Sequence, residues 1–144
     1  MEKKTATVAV IDGIGGGIGA QIIARIRKEA VSGIALLALG TNAVATQRMV
    51  DAGADRGASG ENAIRVSLGA VDFVLGPIGI VLPNAMMGEI TPAIAESVLM
   101  TAAKKLLLPL NQPHVTIVGV EPRNVSDLVS EAVDALGQLL AQAT

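Results

Sequence analysis

The stretch from Ile11 to Ile23, IDGIGGGIGAQII, packs five glycines into seven positions, directly after an apolar run and directly before a helix-like pattern. Bare backbone N–H groups in such a loop approach an anion closely, and the N-terminus of the following helix adds a favourable dipole. From Gly15 the residues read G-x-G-x-x-A (Gly15, Gly17, Ala20), one form of the dinucleotide fingerprint. The run Asp12, Gly13, Ile14, Gly15, Gly16, Gly17, Ile18 and Gly19 is therefore assigned to ligand, with its amides expected to converge on vacant space. The alternative is that the glycines only permit positive φ and close helix–sheet packing. A P-loop is excluded: it needs a lysine after its last glycine, and the first lysine beyond the loop is Lys28.

Chemistry at that loop requires a strand before it and a helix after it, and the pattern supplies both. ATVAVI (6–11) reads as a strand buried on both faces; Ile22, Ile23, Ile26 and Ala30 then mark the inner face of a helix. IALLAL (34–39) is a second strand, followed by a helix over 43–52 with Asn42 as N-cap and Gly53 as its stop. ADRGAS predicts a short edge strand and 61–68 a brief helix. DFVLG (72–76) is a strand, and Thr91–Pro92 starts a helix with Ile94, Ala95, Val98 and Ala102 inward. KLLLPL (105–110) and VTIVGV (115–120) read as the last strands, before a final helix over 124–141. The alternation predicts one α/β domain over residues 1–144. Its architecture is three-layered and doubly wound with a mostly parallel sheet, Rossmann-like, in order 3-2-1-4-5 plus an edge strand from VTIVGV.

In such a sheet, ligands collect outside the carboxyl ends of the strands. Thr41 and Asn42, the loop Gly76, Pro77, Ile78 and Gly79, and Asn111–Gln112 all fall at that rim, with Ser59, Glu61 and Asn62 joining if ADRGAS is extended. Thr41 and Asn42 suit either a ribose hydroxyl or a helix cap. Asp72 precedes its strand and is assigned a structural role at the opposite rim. Asp12 could hold a metal or accept N–H bonds from its own loop. Glu89 is either an acid or base or a solvated charge at a helix entry. The dinucleotide reading meets two obstacles: the charge of Asp12 beside a pyrophosphate, and LGTN where a ribose-binding acid is expected.

Composition narrows the function classes. The chain is 51% hydrophobic and 17% charged, with net charge −2, one aromatic (Phe73), one histidine (His114) and no cysteine. Basic stripes and stacking platforms for nucleic acid are missing. A lone histidine at an expected strand start excludes a multi-histidine metal site and reads as structural. Met86 and Met87 read as core or interface filling. The basic start MEKK lacks a signal peptide's apolar length, and the longest apolar stretch is too short to span a bilayer. A cytoplasmic location, no membrane partner and a homo-oligomer built on surplus aliphatic surface are expected.

Read from Gly13, the loop G-x-x-x-G-I-G (Gly13, Gly17, Gly19) resembles the cofactor loop of short-chain dehydrogenases. Their tyrosine–lysine pair has no counterpart, because the chain has no tyrosine. The resemblance therefore implies at most a cofactor-like binding mode. IDGIGGGIG, ALGTNAVAT, AGADRGASGENAI, GPIGIV, GEITP and PLN together resemble a bacterial family of small uncharacterised proteins, a domain of unknown function. That resemblance implies a Rossmann-like fold and no particular activity. Ile14 stands where members of that family carry a polar residue, often glutamine, so only backbone contacts are expected there. The expectation is a protein binding a small anionic or nucleotide ligand, NAD(P) among the candidates. The alternatives are a small enzyme using Asp12, Glu61 or Glu89, or a non-catalytic subunit that docks a partner.

Overall fold

The computed structural model describes residues 5–142; the basic start lies outside them. Five strands, β1 (Ala6–Asp12), β2 (Ile34–Gly40), β3 (Arg56–Ser59), β4 (Phe73–Pro77) and β5 (Lys104–Leu108), form one parallel sheet in the order β3-β2-β1-β4-β5. In register, Val8 lies opposite Leu36 on one side and Phe73 on the other. β1 is thus the central strand, and the chain reverses its direction of growth there: the switch point lies between β1 and β4.

The sheet is covered on both faces. Val8 and Val10 point into a cluster with α1 (Gly17–Lys28), Met49 of α2 (Ala43–Asp51) and α5 (Val125–Gln142). Ala9 and Ile11 point the other way, against Ile64 of α3 (Glu61–Ser67) and Ile94, Ala95 and Val98 of α4 (Pro92–Met100). Strand side chains alternate between faces, so a strand apolar at every position needs a helix layer on each.

The local signals explain the element starts. Asn42 caps α2 by accepting the Ala45 N–H at 2.8 Å, and Thr91 caps α4 with Pro92 at the first helical position. Asp72 accepts the Thr7 N–H at 2.8 Å, tying β4 to β1 at the rim away from the glycine loop, as its position before the strand implied. Two inward assignments fail at helix ends: Ala30 and Ala102 are exposed because α1 and α4 stop before them.

The expected edge strand is absent among the described residues. VTIVGV makes one isolated bridge, Gln112 to Val115, and Val118 is 94% exposed. A further parallel strand needs a crossover of a dozen or more residues, whereas only residues 109–114 separate β5 from Val115. Pro109, Pro113 and a left-handed His114 (φ 63°) turn the chain away from the sheet. His114 is therefore an exposed turn residue rather than one at a strand start.

Candidate functional site

The loop joining β1 to α1 sits at the carboxyl end of the central strand, as the glycine pattern requires. Asp12, at the end of β1, is only 4% exposed. Its carboxylate accepts the Gly13 N–H at 2.8 Å and the Gly19 N–H at 2.7 Å, turning back into its own loop. Burial pushes the Asp12 carboxyl up from its ordinary value. The N–H bonds from Gly19 and Gly13, the nearby Ile18 amide and the charge of Arg48 act against that rise. Among the described residues no group of three or more ligating side chains could hold a metal.

Much of the expected vacant space is occupied, which corrects the sequence reading. The Gly16 N–H is bonded to the Gly13 carbonyl at 2.9 Å. The Ile14 N–H donates to Glu89 Oε1 at 2.8 Å, with Ile14 itself in the left-handed region (φ 52°). Gly13, Ile14, Gly16 and Gly19 are thus committed inside the protein. Gly15 and Gly17 differ: among the described residues their N–H groups meet no acceptor.

The glycines separate in the same way by space. A Cβ on Gly13 would lie 2.7 Å from Thr41 Oγ1 and 2.8 Å from Met86 Sδ, and one on Gly16 would lie 2.7 Å from the Ala45 carbonyl oxygen. A Cβ on Gly19 would collide with Met49, where α1 crosses α2. On Gly15 or Gly17 it would meet only the Arg48 guanidinium, at 3.8 and 3.4 Å, and neither residue has a positive φ. Packing explains three of the five glycines and leaves two open beside a cation.

Arg48, absent from the sequence-based candidates, reaches over the loop from α2 and donates to the Gly15 carbonyl at 3.5 Å. It forms none of the ion pairs found among the described residues, which join Arg25 to Glu29, Arg27 to Asp55 and Arg123 to Glu131. The available signal was its place two turns into a helix whose cap lies at the rim.

Glu89 is no solvated helix-entry charge. It folds back on the glycine loop, where its Oε1 accepts from Thr41 Oγ1 at 2.5 Å and Asn42 Nδ2 at 2.9 Å as well as from Ile14. The Thr41 hydroxyl, followed by the Ile14 and Asn42 donors, holds the Glu89 carboxyl below its ordinary value against some burial. Asn42 both caps α2 and donates to the Ile14 carbonyl at 2.9 Å, so the cap reading of this residue holds and its amide is spent on the loop.

Several of the remaining rim residues pack or bond within the protein. Gly76 and Pro77 end β4 in the core, and a Cβ on Gly76 would lie 2.5 Å from the Ile11 carbonyl oxygen. Ile78 begins a short turn, and Gly79 is buried beneath Gln112 and Met86. This loop presents packed residues to the crevice rather than open backbone. Ser59 donates to Thr46, and Glu61 accepts from Thr91. Met86 packs against Gly13 and the core, whereas Met87 is 97% exposed and takes no part in the core.

Comparison with known structures supports the fold. A dodecameric FMN-dependent UbiX-like decarboxylase from Escherichia coli O157:H7 is similar over 95% of this chain and 94% of its own, at 15% identity and TM-score 0.54. An FtsZ W319Y mutant from M. jannaschii matches 73% of this chain and 38% of its own, at 20% identity and TM-score 0.43. No curated protein matches the sequence. The chain belongs to the family described as a domain of unknown function (DUF3842), whose model matches residues 7–141.

Proposed function

We propose that the protein binds a phosphate-bearing nucleotide, with the Gly15 and Gly17 amides and the Arg48 guanidinium receiving the phosphate. The observation that carries this reading is the pair Gly15 and Gly17. Neither is required by the protein's own packing or by a positive φ, and both bare amides lie at the start of α1 beside the Arg48 guanidinium, which forms no ion pair among the described residues. A glycine that its own fold does not need is accounted for by a ligand approaching the backbone closely. Exposed Ile14 and Val44 lie at the same rim and supply apolar surface for the rest of the ligand. The FMN dependence of the decarboxylase adds flavin mononucleotide to NAD(P) as a candidate.

In this reading the protein is cytoplasmic, consistent with its lack of cysteine. No helix among the described residues is long and apolar enough to cross a membrane. It assembles with copies of itself through exposed aliphatic surface. A thermal-shift panel of FMN, NAD, NADP, FAD, ATP, S-adenosylmethionine, coenzyme A and sugar phosphates tests the binding reading. A ligand present at 100 times its Kd adds about 2.7 kcal/mol of stability. Silence across the panel would overturn the proposal.

A further inference from the structure

Three donors from two separate parts of the chain meet at one point at the inner end of the loop. The Ile14 N–H, the Thr41 hydroxyl and the Asn42 side-chain N–H, at 2.8, 2.5 and 2.9 Å, all donate to the single oxygen Oε1 of Glu89. Glu89 belongs to none of the ion pairs among the described residues, so these neutral donors hold its charge. Charge-assisted hydrogen bonds of this kind suit any anionic oxygen, not only one supplied by the chain.

The segment that delivers Glu89 is under strain. Asn84, Met86 and Met87 are non-glycine residues held at φ 68°, 58° and 58°, a region that side chains rarely adopt. Met87 is left in solvent, and Met86 Sδ lies over Gly13. Strain of this sort persists where surrounding contacts hold it: the segment's own turn hydrogen bonds, such as Asn84 N–H to the Ile90 carbonyl at 2.7 Å, the buried Ile90, and the contacts of Met86 and Glu89 with the loop.

We infer that the Ile14–Thr41–Asn42 donor set is a binding subsite for an anionic oxygen of the ligand, and that Glu89 fills it as a competitor built into the chain. The inference rests on the nucleotide reading and adds a second anchoring point to it. The ligand chemistry is a carboxylate or phosphate oxygen. Binding requires the Glu89 side chain to leave, while the backbone hydrogen bonds of the 82–90 turn stay in place.

Calorimetric titration of wild type, Glu89→Ala and Glu89→Gln with inorganic phosphate, acetate and FMN tests this. Glu89→Ala is expected to bind phosphate or acetate at least tenfold more tightly than wild type. Glu89→Gln, which keeps the shape and loses the charge, is expected to show a smaller gain, and it also serves if the alanine variant fails to fold. Adding Thr41→Val is expected to abolish the gain. Tightening for phosphate alone identifies a phosphate oxygen, for acetate alone a carboxylate, and for both a subsite open to either. Wild type that binds FMN, with unchanged affinities in both Glu89 variants, overturns the inference and leaves the nucleotide reading standing. No binding of any probe by any of the proteins overturns the inference, and the nucleotide reading is then decided by the full thermal-shift panel.

Discussion

Gly13 and Gly17 stand four residues apart and should respond oppositely to the same added methyl group. At Gly13 a Cβ is forced against Thr41 and Met86, so Gly13→Ala is expected to cost about 1–3 kcal/mol in urea unfolding. At Gly17 it meets only a movable guanidinium at the first helical position, so Gly17→Ala is expected to be neutral or to stabilise by up to about 1 kcal/mol. Asp12→Asn replaces an acceptor of two N–H bonds by a group that offers one acceptor and a competing donor. It is expected to cost about 1–3 kcal/mol. Glu89 and Asp12 differ in their pH behaviour. The Glu89 carboxyl is held low, so its contribution is present above the ordinary glutamate value and lost as pH falls through the lowered one. Asp12 is pushed up by burial, so its term is full at low pH and lost as pH rises through the raised value. The stability difference between wild type and Glu89→Gln should therefore shrink as pH falls through the lowered Glu89 value, with Asp12 common to both proteins; a difference independent of pH would contradict the assignment.

At the scale of elements, local chemistry was legible wherever it is local in fact. Asn42 and Thr91 cap their helices by hydrogen bonds to residues three positions on, so the sequence pattern alone marks them. The strands β1, β2 and β4 were legible because burial on both faces leaves an apolar run, with only Thr7 and the terminal Asp12 polar in β1. VTIVGV has the composition of a strand, but its pairing depends on a partner and a connection length that composition does not encode. The Glu89 contact with Ile14 spans 75 residues and is carried by left-handed non-glycine residues, so no periodicity announces it. Arg48 escaped notice because a helical arginine reads as a solvated face until the packing of α2 places it over the loop. Asn42→Ala removes a cap and two loop contacts together, and a loss of about 1–2 kcal/mol is expected in denaturant unfolding.

At the scale of the molecule, β5 is an outer strand of the sheet, with the 119–123 segment across a groove from it. The groove, of about 480 Å³, is lined by Leu106, Leu108, Leu128 and Ala132, with the exposed Val118 nearby in the chain. Edge strands and exposed aliphatic residues favour association. Light scattering is expected to give a mass above that of one 14.6 kDa chain, reduced by Val118→Asp; a monomer at every concentration would contradict self-assembly.

The claim on which the account turns is that Gly15 and Gly17 are bare for a ligand's sake. Titration of wild type and Gly17→Ala with the nucleotide giving the largest thermal shift tests it directly. At least a tenfold weaker Kd is expected in a variant that is as stable as wild type; equal affinity in the two proteins would overturn the proposed phosphate site.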